Sequence, residues 1–442
     1  WPRVRLARDF GLVLFIYIVL LNVTETRILV HLADIRAEAT GGIVNLMSPQ
    51  FPDSLNSYPV YEAAFQSFGP EKDIPKWFQK SNKPDFNPAS NEADRFLAAH
   101  QDVLKTVRRA ATMPGYSPEV ETVDFIRWPL PNYTKYRDLA KLLSLAARAR
   151  TLAGDSTGAF QDLSVMEAMA GHLWSYPFFI SFMGANRIDE IRHQSLEFIL
   201  AHAPDVAPDL IGPPIKIHPS HPKRFRQSLR LEALGYLQSL GTVAAADDIH
   251  VFLNDSESGS AYGKVATKFW RVFMLPGEMR ISKNVIAAGL NKPADTYAEL
   301  LKNLEEIEGT LMAGGTGMFT SVASPYSRLL VRSMRFEAIR GLCDLALAVT
   351  VYKASEGDYP DRLEDLVPNY IDKIPLDPYD LKPLKMKSVD GGMDFYSVGS
   401  GPNLKYGKEG KIHFYLGADP YEAYRVKPAR EETRKKSKKR KK

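Results

Sequence analysis

The chain has 442 residues, which is too long for one ordinary hydrophobic core, so we expect two or three domains. Its hydrophobic content of 45% and charged content of 25% are typical of globular proteins. The formal net charge is +5, but residues 427–442 hold ten Lys or Arg and two Glu, so the remainder of the chain is slightly acidic. The single cysteine, Cys343, excludes an intrachain disulfide and is predicted to be a buried side chain on a helix.

Residues 10–24 form a run without a charged side chain near the N-terminus. As an α-helix these fifteen residues would be roughly 22 Å long. A helix that spans a bilayer core needs about 20 residues, so the run is somewhat short. Arg8 before the run, and Glu25 and Arg27 behind it, can reach the headgroup zone and so compensate for the short length. The run is therefore predicted to be a single-pass membrane anchor, which makes the membrane the first expected partner.

The charges around this run predict its orientation. Arg3, Arg5 and Arg8 precede it, whereas Arg27 is the only base close behind it. By the positive-inside rule the N-terminus would be cytoplasmic and the rest of the chain would lie outside the inner (cytoplasmic) membrane.

Two other interpretations of residues 10–24 remain open. The run could be the apolar part of a signal peptide, although the nearest small-x-small site, Ala37-Glu38-Ala39, is distant. It could also be a buried core helix of a soluble protein. Beyond it, apolar residues at helical spacing predict an amphipathic continuation as far as Gly41-Gly42.

The middle of the chain, 41–320, reads as an irregular, mainly α-helical domain without a fixed repeat. The clearest helix is 133–153, whose Lys141 and Arg148 are placed away from its apolar face, followed by a turn at Gly154-Asp155. The other predicted helices are 56–68, 89–112, 159–173, 188–203, 225–240 and 297–312.

The C-terminal part, 321–420, is predicted to be an α+β domain. A long helix over 327–355 carries one apolar stripe, from Met334 to Tyr352, that leaves Arg340 clear. Gly357 suits the left-handed position that ends a helix, and Asp361 can cap a short helix. Short antiparallel strands are predicted over 384–386, 394–398 and 411–415, and the long helix would bury its stripe against them.

Several turn motifs of this part occur together: Gly-x-Tyr-Pro, a Leu-rich short helix, Pro-x-Asp-Pro and a Tyr-Ser-x-Gly strand end. In this respect the segment resembles the globular domain of a type II secretion pseudopilin, which implies a long helix packed on a small antiparallel sheet. The residues that carry the resemblance are Gly357, Tyr359, Pro360, Leu363, Leu366, Pro375, Asp377, Pro378, Tyr396 and Gly399.

The sequence also departs from the pseudopilin pattern. Major pseudopilins bind calcium after the Tyr-Ser-x-Gly strand, but the corresponding loop here, 399–403, has no carboxylate, so no calcium site and no other cofactor is expected. No prepilin peptidase site is seen before Phe10. The residues Pro52 to Asn56, Tyr61 and Ala64, Arg137 to Leu143 and Gly154 to Ala159 resemble a wider group of bacterial membrane-anchored proteins. That group pairs an N-terminal anchor, a helical middle and this cassette. The corresponding parts here are 1–40, 41–320 and 321–420, followed by a basic tail, 421–442.

The basic tail is predicted to be disordered and to contact polyanions. It contains Arg434, Lys435, Lys436, Lys438, Lys439, Arg440, Lys441 and Lys442. Each base near an anionic membrane contributes ~1 kcal/mol, so anionic lipid or an envelope polymer are the expected partners. Nucleic acid is not favoured, because no aromatic residues are interleaved for base stacking.

No catalytic or metal-binding residue is assigned. His218 and His221 lack the further ligands that zinc needs, and the cluster Asp247-Asp248 with His250 is interpreted as a helix-end cap. Residues 314–317 lack the Lys-Ser/Thr of a phosphate-binding loop.

Two functions follow as hypotheses. The first is a membrane-anchored, exported envelope protein that scaffolds or binds partners. The second is an enzyme with a site in the helical middle, which requires a polar cleft lined, for example, by His172, His193 and buried carboxylates.

Overall fold

The computed structural model describes residues 2–47, 50–83, 86–118, 131–203, 214–215, 222–245, 267–277, 279–280, 292–313, 326–389, 391–399 and 411–417. The α-helices of this part of the chain are α1 (Pro2–Leu46), α2 (Tyr58–Phe68), α3 (Asn91–Ala99), α4 (Gln101–Ala111), α5 (Tyr133–Leu152), α6 (Ser156–Ser175), α7 (Phe179–His202), α8 (Pro222–Ala245), α9 (Tyr297–Ala313) and α10 (Tyr326–Glu356). The strands are β1 (Lys385–Val389), β2 (Gly392–Ser397) and β3 (Ile412–Leu416). The fold is α+β, mainly helical with one small antiparallel sheet.

Helix α1 does not end at Gly41-Gly42, as the sequence predicted, but continues to Leu46. The reason is its packing against α8, which buries Leu32, Ile35, Ala39 and Ile43. A Cβ atom on Gly42 would lie 3.0 Å from the side chain of Leu234 on α8, so the glycine allows close approach of the two helices. Tertiary burial thus outweighs the low helix propensity of glycine.

Helices α5, α6 and α7 pack on one another and form the centre of the helical middle. Side-chain caps begin two of them: Asn132 accepts from the Lys135 N–H at 3.2 Å, and Asp155 accepts from the Gly158 N–H at 2.8 Å. Gly154 has φ +82°, so the predicted turn between α5 and α6 is confirmed.

Two cations on α5 contradict their predicted place away from the core, because Lys141 and Arg148 are both buried. Lys141 donates to the backbone and side-chain oxygens of Gln79, and Arg148 donates to the carbonyls of Ser81, Lys83 and Phe86. The loop that covers α5 has carbonyl groups without regular secondary-structure partners, and the long cationic side chains satisfy them.

The predicted helix over 89–112 is divided into α3 and α4 at His100. The His100 ring nitrogen Nδ1 lies 2.8 Å from the Phe96 carbonyl oxygen, and its backbone leaves the helical region with φ −111° and ψ 20°. This local hydrogen bond competes with continued helix at that residue.

The long helix α10 is buried on two sides. Ala338, Leu342, Leu345 and Val349 belong to the same hydrophobic cluster as the inner residues of β2 and β3, so the predicted packing of the stripe on the sheet is confirmed for this part. Met334, by contrast, joins a second cluster formed with α8 and α9. The opposite side of α10 contacts α7.

The sheet has strand order β1-β2-β3 and is antiparallel throughout. Met393 faces Leu416 and Phe395 faces Phe414 across β2 and β3, and all four are buried. Gly391, with φ +79°, occupies the left-handed turn position between β1 and β2.

Motif residues after α10 adopt the predicted turns with one correction. Gly357 has φ +87° and donates its N–H to the Lys353 carbonyl at 2.9 Å, as expected for the end of a helix. The short 3₁₀-helix Leu363–Leu366 is capped by Asp365 rather than by Asp361, because the Asp365 carboxylate accepts from the Arg362 N–H at 3.0 Å.

Asp377 joins two motifs that are about twenty residues apart. Its fully buried carboxylate accepts from the Tyr379 N–H at 3.1 Å, from the Val398 N–H at 2.8 Å and from the Ser397 hydroxyl at 3.0 Å. The Pro-x-Asp-Pro turn is therefore fixed to the Tyr-Ser-x-Gly end of β2 by a single side chain.

Replacing Asp377 with Ala should lower the free energy of unfolding by about 2–4 kcal/mol, because two backbone N–H groups lose their acceptor. Asp361→Ala is the matched control: Asp361 is exposed, and a change of less than about 0.5 kcal/mol is expected. Denaturant unfolding of both variants in the same detergent measures the difference, and equal midpoints would contradict the role of Asp377.

Candidate functional site

The surface of α1 near its N-terminus is the most unusual feature of the described residues. Phe15, Ile16, Tyr17, Ile18, Val19 and Leu20 are consecutive apolar or aromatic residues, each between 42% and 63% exposed. A helix that is apolar on all sides belongs either in a protein core or in a membrane, and this stretch lies outside the core. The part of α1 from Phe15 to Leu46 is long and apolar enough to cross a membrane, judged by length and composition.

The exposed stretch ends at a buried ion pair. Glu25 is only 9% exposed, and its carboxylate accepts from Arg271 Nη1 at 2.7 Å. Lys268 Nζ lies 3.5 Å from the Asn22 side-chain oxygen and 4.0 Å from Glu25. From this level onward one face of α1 is buried, so Glu25 marks the boundary between the exposed helix and the folded body.

The partner of Glu25 belongs to a short helical segment, 267–277, which contains one turn of π-helix at Trp270–Met274. Phe269 and Phe273 are 59% and 53% exposed, with ring centroids 4.7 Å apart, and Met274 is 47% exposed. The sequence analysis makes no assignment for this segment. The pattern that could have indicated it is the spacing of Phe269 and Phe273, four positions apart, which places both rings on the same side of a helix.

A second group of functional side chains is the buried charged cluster between α7 and α10. Arg340 of α10 donates from Nε and Nη2 to one carboxylate oxygen of Asp189 on α7, and Arg192 donates to the other oxygen at 3.1 Å. The Arg340 guanidinium also lies 4.2 Å from the ring centroid of Trp174. His193 completes the cluster, and the residues Asp189, Arg192, His193 and Arg340 are all at most 7% exposed.

The ionisation of this cluster suits a structural role. Burial alone would raise the pKa of Asp189, but Arg340 and Arg192 outweigh burial and hold the pKa well below its usual range. The pKa of His193 is lowered to about 3, so the imidazole is neutral at pH 7. Burial is the largest cause, the positive charges of Arg192 and Arg340 act in the same direction, and the negative charge of Asp189 opposes them. One carboxylate and two guanidiniums are thus charged and almost fully buried.

His172 does not share a cleft with His193. Its Nδ1 lies 2.9 Å from the Tyr61 hydroxyl and its Nε2 lies 2.9 Å from the Met113 carbonyl, so both ring nitrogens have partners. Burial lowers the pKa of His172. Cys343 is buried as predicted, and burial raises the pKa of its thiol. Within the described ranges, no group of three or more His, Cys, Asp or Glu side chains is placed to hold a metal ion.

A cavity of about 270 Å³ lies between α10, the start of α9 and the Pro-x-Asp-Pro turn. Arg340 and Asp344 of α10 line it together with Tyr297, Glu337 and Lys373. Neither His172 nor His193 lines it. His172 and His193, the two histidines given as an example for the enzyme hypothesis, therefore do not share this cavity.

The rim of this cavity exposes two leucines, Leu376 at 57% and Leu381 at 46%. Leu381 has φ +56°, a left-handed conformation that is uncommon for a residue other than glycine. The turn is held by backbone hydrogen bonds from Asp377 N–H to the Lys382 carbonyl and from Leu381 N–H to the Asp377 carbonyl.

The predicted polyanion contact from Arg434 to Lys442 lies outside the described residues. So do the segments to which no site was assigned: His218 and His221, the group at 247–250 and the glycine-rich stretch 314–317. The motif residues Pro360, Leu363, Leu366, Pro375, Pro378 and Gly399 are all buried, whereas Tyr359 and Tyr396 are half-buried.

Comparisons of the chain with models of known protein families, with curated proteins and with solved structures gave no match.

Glu197 connects the helical middle to the sheet. It lies on α7, and its carboxylate accepts from the backbone N–H of Tyr415 on β3. Burial raises the pKa of Glu197 to about 7, with the Tyr415 hydrogen bond opposing the effect. The folded protein therefore retains a proton on this group over a pH range in which the unfolded chain loses it.

Because the folded state binds the proton more tightly, Glu197 stabilises the protein least above pH 7. As pH rises from about 4.5 to about 7, the wild type should lose stability relative to Glu197→Gln, by about 2 kcal/mol in total. Thermal or denaturant unfolding of both proteins across this range measures the difference. Glu306→Gln is the control: Lys292 lowers the pKa of Glu306, so its contribution to stability changes below pH 4.5 and should stay nearly constant over this range. A pH-independent difference for Glu197→Gln would contradict the assignment.

The cluster also predicts a contrast between a buried and an exposed ion pair. Arg340→Leu leaves part of the Asp189 charge buried without its partner and should lower the free energy of unfolding by about 3–5 kcal/mol. Arg362→Leu removes an arginine side chain that is 72% exposed and 3.2 Å from Asp365, and should cost less than about 1 kcal/mol. Comparable losses in both variants would contradict the structural role of Arg340.

Proposed function

We propose that the protein is a single-pass membrane protein whose folded body lies outside the cytoplasm and acts as a scaffold or partner-binding module of a bacterial envelope. The observation that carries the proposal is the consecutive exposure of apolar residues from Phe15 to Leu20. Leaving these side chains in water is costly, and a bilayer is the environment in which a helix exposed on all sides is stable.

The orientation is supported by the charge distribution. Arg3, Arg5 and Arg8 precede the apolar run and Arg27 follows it, which favours a cytoplasmic N-terminus and an exported body. The length of the run is consistent with an anchor whose ends lie close to the headgroups.

The scaffold role is supported by the way the body is built. The packed half of α1, the helical middle and the sheet all contribute to one hydrophobic cluster, so the anchor is joined to the cassette through a continuous core. The resemblance of the cassette to a pseudopilin globular domain belongs to the same proposal. It is supported by the long helix on a small antiparallel sheet and by the Asp377 linkage between two of the motifs.

The anchor can be tested with two arginines in the exposed stretch. Each Arg at the centre of a membrane helix costs about 2.5–3.5 kcal/mol, so Ile16→Arg with Leu20→Arg should prevent stable insertion. The wild type should sediment with membranes and resist an alkaline carbonate wash, whereas the double variant should be released or degraded.

Leu376→Arg with Leu381→Arg is the matched control, because these apolar side chains are similarly exposed but belong to the cassette. The control should stay in the membrane fraction. The intact mass of the membrane-bound protein distinguishes an anchor from a cleaved signal peptide. A thiol placed by Leu376→Cys should react with an impermeant reagent in spheroplasts, since native Cys343 is buried. A soluble wild type, a cleaved N-terminus or an unreactive thiol would each contradict the proposal.

A further inference from the structure

We propose that the 267–277 segment is a second membrane contact, which lies in the headgroup region of the bilayer beside α1 with Phe269, Phe273 and Met274 entering the acyl boundary. This inference rests on the proposed membrane anchoring, and it names the lipid interface as the occupant of an exposed apolar face. It adds a docking surface in the folded body to the anchor itself.

The position of the segment along α1 is fixed by polar contacts. Arg271 binds Glu25 at 2.7 Å, and Lys268 lies 3.5 Å from the Asn22 side chain. These α1 residues lie at the end of the uncharged run 10–24. When the run lies in the bilayer core, the segment is therefore at the level where the core meets the headgroups.

The segment is two-sided at this level. Thr267 and Leu275 are buried against the body, at 1% and 0% exposure. Phe269, Phe273 and Met274 are each about half exposed. A short helix with one packed face and one exposed aromatic face has the pattern of elements that lie in a membrane interface, where aromatic rings are enriched.

The length of the apolar run provides an independent reason. Fifteen residues of helix span roughly 22 Å, whereas the hydrocarbon core is about 30 Å thick. An interfacial helix sinks roughly 5–10 Å below the headgroups, which matches the missing length. Immersing the 267–277 segment lowers the body onto the bilayer and so makes up for the short anchor.

The charges at this level are compatible with immersion. Glu25 and Arg271 neutralise each other, with both side chains only 11% exposed. The Lys268 side chain is 62% exposed and can extend its ammonium group toward lipid phosphates. The segment thus presents an exposed lysine and an apolar face to an anionic surface.

Depth-dependent fluorescence quenching can test this placement in the full-length protein. Cys343 is buried, so Phe273→Cys, Val19→Cys and Leu376→Cys each provide one accessible thiol for an environment-sensitive fluorophore. The labelled proteins are reconstituted into vesicles of zwitterionic and anionic phospholipid that carry bromine either high on the acyl chains or near their methyl ends. A label at Phe269→Cys gives a second measurement on the same face.

The label at residue 273 should lose most of its emission with bromine high on the chains and little with bromine near the methyl ends. The label at residue 19 should be quenched by the deep bromines, and the label at residue 376 by neither. An unquenched residue 273 with a quenched residue 19 would overturn this inference and leave the anchor intact. An unquenched residue 19 would overturn the anchor itself. If the label at residue 273 reports an apolar environment but is not quenched by brominated lipid, and crosslinked dimers form, the face is an interface with a second copy of the chain. That result would also overturn the inference.

Discussion

The burial of helix α10 on two sides is the constraint on which the rest of the structure depends. One side covers the sheet, and the other meets α7, so a single helix belongs to both the cassette and the helical middle. Arg328 and Arg332 near the start of this helix are exposed, but from Ala338 to Val351 it has no exposed residue. Arg340 is buried there, and the Asp189 carboxylate supplies the opposite charge that stabilises its guanidinium. The charged cluster is thus a consequence of sharing one helix between two layers.

The same logic separates the structural charges from candidate chemistry. Asp189 and His193 have strongly shifted pKa values, which in a cleft would favour a catalytic role. Here they are sealed between helices, and their shifts come from burial and from the arginines that stabilise the packing. Lys141 is a parallel case: burial lowers its pKa to about 8, and it binds the carbonyl and side chain of Gln79. The pKa shifts of Asp189, His193 and Lys141 thus accompany the packing of helices and loops against one another.

Helix α1 joins an exposed part of the molecule to a packed part. It runs from the exposed apolar stretch into the packed half without a break in the described backbone. The Glu25–Arg271 pair lies where exposure changes to burial. The exposed aromatic face of the 267–277 segment lies at the same level, which connects the proposed membrane contact to the fold of the body rather than to the anchor alone.

Much of the fold could be predicted from local patterns. The three- and four-residue spacing along α10, the Gly154-Asp155 turn and the Gly357 helix end depend on neighbouring residues, and each was correct. The bounds of α5 were predicted to within one residue, since Asn132 begins it and Gly154 follows it.

What the sequence alone determined is therefore the uncharged apolar run near the N-terminus, the helix periodicities and the turn chemistry, because these depend on residues a few positions apart. Only the tertiary structure decided the continuation of α1 past Gly42, the burial of Lys141, Arg148 and Arg340, and the contact of Glu25 with Arg271. Each of these contacts joins residues that are far apart in the chain. Whether a charge or a glycine is tolerated there depends on desolvation and on the geometry of the partner groups, and no local sequence pattern encodes either.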